Sequence, residues 1–243
     1  MRFSLCSVIP IAIFSGVVSS LSIPRGLYRI RSTRNRLANR TSLPPWPHPN
    51  HRAAELTTTC KLQLSRGSTP LKYISSKLNE FGEYGILTDS ATGALEVTFA
   101  SGNSSGRVDL WVVGADADTP TLGGISGFFN EGDDLTFGSY HYASIGLTTQ
   151  TPSGSTPSIG ANSFDKIQDY KQKIESAIWS FNSATKLLTP RWVNTDKSAP
   201  KNHLIYVDKQ NVVVITANKD EFVEKFREEF EAQGANPVEV VSD

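Results

Sequence analysis

The chain has 243 residues, 38% of them hydrophobic and 20% charged, and its 24 basic and 24 acidic side chains balance to zero. Eight of the basic residues lie before Ala53 and no Asp or Glu occurs before Glu55, so residues 53–243 hold 16 basic against 24 acidic groups, a formal charge of −8. A globular body of that sign, with no basic patch, excludes nucleic acid as the expected partner.

The first residues carry an address. Met1-Arg2 is a short positive start, Phe3 to Val18 is a largely apolar run broken by Pro10 and Gly16, and Ser19, Ser20 and Ser22 are small enough for a cut after Ser20. This is the pattern of a secretory signal peptide over residues 1–20. A membrane anchor needs about 20 apolar residues without a mid-run proline, and no second run of that length follows. The mature chain is therefore expected to be secreted, extracellular or in the cell wall, and to have no membrane span. Cys6 would leave with the leader, so no intrachain disulfide is expected, and Cys60 reads as a buried, inert side chain, a free thiol or an intermolecular bridge.

From residue 21 to 52 the chain is rich in Arg and carries Pro44, Pro45, Pro47 and Pro49. Such a segment has too little to bury and is expected to be a disordered propeptide or linker. Residues 53–243 then form a single domain. Leu56 to Leu64 alternates like one strand, and Arg66 to Pro70 is a turn. Leu71 to Leu78 is a further strand. Asn79 to Gly85 (NEFGEYG) places two aromatics between glycines, which suits a turn or bulge.

Ala94 to Phe99 puts Leu95, Val97 and Phe99 on one face, and with Val108 to Val113 it predicts a hairpin. Gly114 to Gly127 is expected to be a long loop. Leu135 to Tyr142 alternates like a strand, with Ser144 to Thr149 as a shorter partner. Phe164 to Ile174 has helical spacing, with Asn162 or Ser163 as its N-cap.

Ser176 to Thr216 holds four short runs rich in β-branched and aromatic residues, separated by polar turn clusters. Alternation there puts Ala177, Trp179 and Phe181 on one face. Asn218 to Gly234 is the strongest helix signal: Asn218 or Asp220 can cap it, Phe222, Val223, Phe226 and Phe230 form a stripe, and Gly234 follows its end. After Pro237, Val-Glu-Val-Val fits an edge strand. The whole predicts a mainly β protein, an antiparallel two-sheet sandwich with a C-terminal amphipathic helix.

Asn103 and Asn39 head N-glycosylation sequons, the first at a predicted hairpin tip. Among the aromatics, Trp192, Tyr206, Tyr140 and Tyr142 are the candidates for stacking against a sugar, while most strand aromatics belong to a core. Asp116, Asp118, Asp133 and Asp134 lack the spacing of a calcium loop, and no metal or cofactor is expected. No nucleophile elbow, zinc histidine pair or phosphate loop occurs. Glu96 with Asp109 is the carboxylate pair a glycoside hydrolase would need across the predicted hairpin, and both residues also fit as the polar members of alternating strands.

LKYISSKLNEFGEYG (71–85) and SAIWSFNSATKLLTPRWVNTDKSA (176–199) resemble segments of secreted β-rich proteins of higher fungi that have no assigned function. In those an Ile-Trp strand, a turn, a Trp-Val-Asn strand and an Asp-Gly-Ser-like turn recur; here Lys197 stands where the resemblance expects Gly. The resemblance implies secretion and a sandwich and assigns no activity. Two functions follow as expectations: a non-catalytic extracellular or cell-surface protein that binds carbohydrate, and, as the alternative, a secreted glycan-active hydrolase.

Overall fold

The computed structural model describes residues 2–4, 56–66, 69–102 and 106–232, and side chains within 56–66, 69–102 and 106–228. Most of the expected leader, the Arg/Pro segment, Asn39, Asn103 and the tail after Pro237 lie outside the described residues.

In chain order the strands are β1 (Arg2–Ser4), β2 (Thr57–Lys61), β3 (Gln63–Arg66), β4 (Thr69–Ile74), β5 (Leu87–Thr88), β6 (Glu96–Ala100), β7 (Leu110–Val112) and β8 (Thr121–Ser126). They continue with β9 (Tyr142–Thr148), β10 (Ser158–Ile159), β11 (Lys173–Glu175), β12 (Trp179–Asn182), β13 (Leu187–Pro190), β14 (His203–Val207) and β15 (Val212–Thr216). A single 3-10 turn at Ala91–Gly93 and two α-helices, α1 (Ser163–Gln168) and α2 (Lys219–Ala232), complete the described elements.

The protein is mainly β, built of antiparallel sheets, one of them curled like half a barrel, with few helices. One sheet runs β12-β13-β1-β3-β4-β5. The other runs β14-β15-β9-β8-β7-β6-β2, with β11 joining at β8 and β10 pairing with β11. Leu64 and Leu188 of the first sheet share one buried cluster with Val97, Leu110, Leu122 and Ile145 of the second.

The run Leu56–Leu64 is not one strand. It divides at Leu62, so that β2 pairs with β6 and β3 pairs with β4 and β1 in the other sheet. At the corner the Leu62 N–H donates to Leu95 and the Leu62 carbonyl accepts from Ile74. The β6–β7 hairpin forms in the expected register, Val97 opposite Val112, with Val97 and Phe99 buried.

Gly114–Gly127, expected to be a loop, contains β8, a strand buried at every position. A Cβ at Gly124 would stand 2.8 Å from the Trp192 ring, and one at Gly123 would stand 2.5 Å from the Glu175 carbonyl oxygen. Glycine lowers local strand preference, but only glycine admits these neighbours. Conversely, Leu135–His141 is not a strand. Asn194 takes both backbone groups of Leu135, accepting from its N–H at 2.9 Å and donating to its carbonyl at 3.1 Å, and regular pairing starts at Tyr142.

The helix expected over 164–174 stops at Gln168. Asn162 caps it by accepting from the Asp165 N–H at 2.8 Å, and Asp169 turns left-handed at φ 55°. The four runs of 176–216 are strands that form two hairpins, β12–β13 in one sheet and β14–β15 in the other. Asn218 caps α2 through the N–H groups of Asp220 and Glu221. Phe222 and Phe226 then pack on Ile205, Val207, Val212 and Val214.

Lys197 adopts φ 67° in the turn where glycine was expected. One expectation is corrected outright: Cys60 is disulfide-bonded, and the chain's other cysteine is Cys6. The reason lies in the strand order. Ser4 of β1 pairs with Gln63 of β3, which brings the start of the chain beside the segment that carries Cys60.

Candidate functional site

The β12–β13 hairpin positions the site. Its alternation turns Trp179 and Phe181 inward and leaves Ser180 opposite Thr189 on the other face. Trp179 is fully buried, and its indole N–H donates to the Leu122 carbonyl at 2.7 Å, which anchors this outermost strand of its sheet to the second one. The turn is set by Asn182, whose Oδ1 accepts from the N–H groups of Ala184 and Thr185, and by Lys186 at φ 58°.

Between this hairpin and Ser101, just past the end of β6, lies a groove of about 500 Å³. Hydroxyls of Ser101, Ser180, Ser183, Thr185 and Thr189 line it with the Asn182 amide. Its apolar members are Leu187 and Phe181, whose half-buried ring is held edge-on against Phe99 at 4.8 Å. None of the lining side chains is charged. Leu187, which shares the face of Ser180, Asn182 and Thr189, sets an apolar side chain among neutral hydroxyls and an amide, a lining that can meet a ligand presenting both C–H and O–H groups.

The sequence-selected aromatics are not gathered there. Trp192 is fully buried, with its indole N–H donating to the Asp133 carbonyl at 2.9 Å. Tyr206 is also buried, and burial beside Asp208 raises its phenol well above the usual value. Neither ring face is open to a ligand, which corrects the expectation for both. Tyr140 and Tyr142 come together on the outer side of the larger sheet: Lys225 lies 4.6 Å from the Tyr140 ring, and Tyr142 sits edge-on to Phe222 and Phe226 at 5.5 and 5.7 Å.

The carboxylates are committed elsewhere. Register places Glu96 beside Val113, so Asp109 lies four residues along the hairpin, roughly 13 Å away by strand rise. Asp109 accepts from Ser176 at 2.6 Å and Gln150 at 2.7 Å. Asp133 pairs with Lys173 at 2.6 Å, and Asp134 accepts from the Thr195 backbone and hydroxyl. Among the described residues no three His, Cys, Asp or Glu side chains are grouped to hold a metal. No described helix is long and apolar enough to cross a membrane.

Two carboxyls are buried. Burial pushes Glu175 up to about 8, against the opposing pull of the Val193 N–H at 3.0 Å and of Arg107. Glu83 is raised for the same reason, while hydrogen bonds from Ser144 and Asn79 work the other way. Neither lines the groove.

The groove's hydroxyls escaped the sequence reading because serine and threonine between strands read as turn chemistry. The available signal was Ser180 and Asn182 flanking Phe181 at strand spacing. No family model, curated protein or solved structure matches the chain.

Proposed function

We propose that this is a secreted, non-catalytic extracellular or cell-surface protein that binds carbohydrate in the β12–β13 groove. One observation carries the reading: the described lining of the groove combines the apolar Leu187 with five hydroxyl residues and an amide and has no charged side chain. A pyranose offers C–H groups to an apolar side chain and hydroxyls to neutral donors and acceptors. Glycoside hydrolysis needs two flanking carboxyls, which this lining lacks, so binding is favoured over the hydrolase alternative.

The reading takes the two sheets, whose side chains share one buried cluster, as the layers of a sandwich with α2 packed on the outer face of one of them. It takes residues 1–20 as the leader, so that secretion removes β1. A thiol reagent tests whether the Cys60 disulfide outlasts that step: no reactive group in the secreted, unfolded, unreduced protein means that Cys60 keeps a disulfide partner, and one reactive group means that the partner left with the leader.

A glycan array of cello-, chito- and xylo-oligosaccharides probed with the purified protein tests the site. Reproducible binding that drops about tenfold in Ser180→Ala/Thr189→Ala is the expected result. Turnover of a bound oligosaccharide would establish the hydrolase, and an array without binding would overturn the carbohydrate assignment.

A further inference from the structure

The larger sheet is apolar on the side away from the shared cluster as well. On that side α2 covers β14 and β15, and α1 supplies Phe164 against Ile125 and Ile174 of β8 and β11. Among the described residues the two covers do not meet. Between them lies a cleft of about 480 Å³, within the range of small-molecule sites.

Its walls are aromatic. Phe164 and Tyr170 stand on one side, stacked with centroids 6.4 Å apart at 26°. Tyr142 and Val212 line the side toward α2. Phe128 and Phe129, from the segment after β8, reach across. The Phe128 ring is 4.6 Å from Tyr170 and 5.1 Å from Phe129. Phe128, Phe129 and Tyr170 nevertheless remain 42%, 53% and 47% exposed. Three adjoining rings left half in water form an apolar patch of the kind that marks a binding site.

Two buried polar groups border the cleft, the side-chain oxygen of Gln210 and the carboxyl of Glu83. The Asn79–Gly85 segment carries Glu83 as a wedge between β9 and β15. Tyr84 donates to the Ile145 carbonyl and accepts from the Val213 N–H, while Glu83 bridges to Gly146. Asn79 Oδ1 accepts from the N–H groups of both Phe81 and Glu83, and Ser163 donates to the Gly82 carbonyl at 2.5 Å, which fixes the wedge. The Glu83 carboxyl, raised above the usual carboxylate range by burial, accepts from the Asn79 amide at 3.4 Å and keeps further oxygen lone pairs for a ligand hydroxyl. The charged side chains of the lining, Glu80 and Lys209, are both exposed.

We propose that this cleft is a second binding site, for a flat, uncharged, largely apolar small molecule bearing one hydroxyl, with the rings of Phe128, Phe129 and Tyr170 clasping its body and Glu83 accepting from its hydroxyl. Phenylalanine predominates in the walls, and its ring has no polar handle. That composition suits an aromatic or alicyclic ligand better than a sugar, which carries hydroxyls all round its ring. The site is independent of the groove, so either assignment can fail alone.

Fluorescence titration of the full chain with 2-naphthol, with naphthalene as the oxygen-free comparison, tests it. Saturable one-to-one binding is expected, with naphthol preferred. Phe128→Ser and Phe129→Ser should each weaken it roughly tenfold in a protein that still unfolds cooperatively, since both side chains are about half exposed. Glu83→Leu should abolish the preference for naphthol, and Glu83→Gln, which keeps an acceptor oxygen, should restore part of it. Absence of saturable binding, binding indifferent to both ring substitutions, or a naphthol preference that survives in a folded Glu83→Leu protein would overturn the proposal.

Discussion

The hydroxyl groove and the aromatic cleft are nearly equal in size, about 500 and 480 Å³, and opposite in chemistry. The groove arises from strand alternation. On β12 and β13 the outermost hairpin buries Trp179 and Leu188, and among the described residues no strand or helix covers its other face, where Ser180, Asn182 and Thr189 stand with Leu187. The cleft arises from incomplete cover. Strands β14, β15 and β8 are apolar on both faces, and two helices share one of those faces without closing over it. Similar empty volumes therefore come from different causes, and they should answer differently to the same perturbation.

The largest contrast should come from pH. Glu175 ionises near its ordinary value of 4.5 in the unfolded chain and near 8 in the folded one. Between these values the folded state holds the extra proton, so stability is fully present below about pH 4.5 and is lost as pH rises toward 8. At 1.36 kcal/mol per unit the loss is at most about 5 kcal/mol. Glu83, raised in the same direction, adds to it. Denaturant unfolding from pH 4.5 to 8.5 should show the decline, and Glu175→Gln should flatten most of it. Glycan affinity in the groove, which has no titratable lining, should stay constant over that range. An affinity that tracked the stability slope would mean that the groove is coupled to the buried acids.

Gly82→Ala should separate the regions sharply. The position has φ 83°, and an added Cβ would stand 2.3 Å from the Ser163 carbonyl oxygen, so the wedge must shift. A cost of about 2–4 kcal/mol is expected in chemical denaturation, with loss of naphthol binding and intact glycan binding. Equal damage to both ligands would show that the cleft and the groove share one scaffold response.

Lys197→Gly serves as the control. It relieves a left-handed lysine in a turn that lines neither site, and should raise stability by about 1 kcal/mol with both affinities unchanged. Smallest of all should be the stability effect of Ser180→Ala. Its side chain makes no packing contribution to the core, so the unfolding free energy should move by less than about 0.5 kcal/mol while glycan affinity falls. A larger stability change would place Ser180 in the framework rather than in the site.

Much of the fold was legible locally. The Val97/Phe99 alternation, the Asn162 and Asn218 caps, the Phe222/Phe226 stripe and the four runs of 176–216 each depend on residues a few positions apart. The errors fall where distant neighbours decide. Gly123-Gly124 looks like loop until the Glu175 backbone and the Trp192 ring press against it, and Leu135 looks like strand until Asn194 takes its backbone groups. The sites were less legible. Trp192 and Tyr206 attract attention as amphipathic rings, yet their polar atoms are satisfied inside the protein.

The sequence alone thus determined the β character, the sites of the caps and hairpins, and the inward face of Trp179, because these follow from periodicities of two and 3.6 residues. Only the tertiary structure decided that Leu62 is a corner between sheets, that the hairpins of 176–216 belong to different sheets, and that Cys60 is bonded. It also decided where the coverings of the larger sheet leave a gap. These depend on which strands become neighbours across long stretches of chain, and a pattern read over ten residues carries no record of that choice.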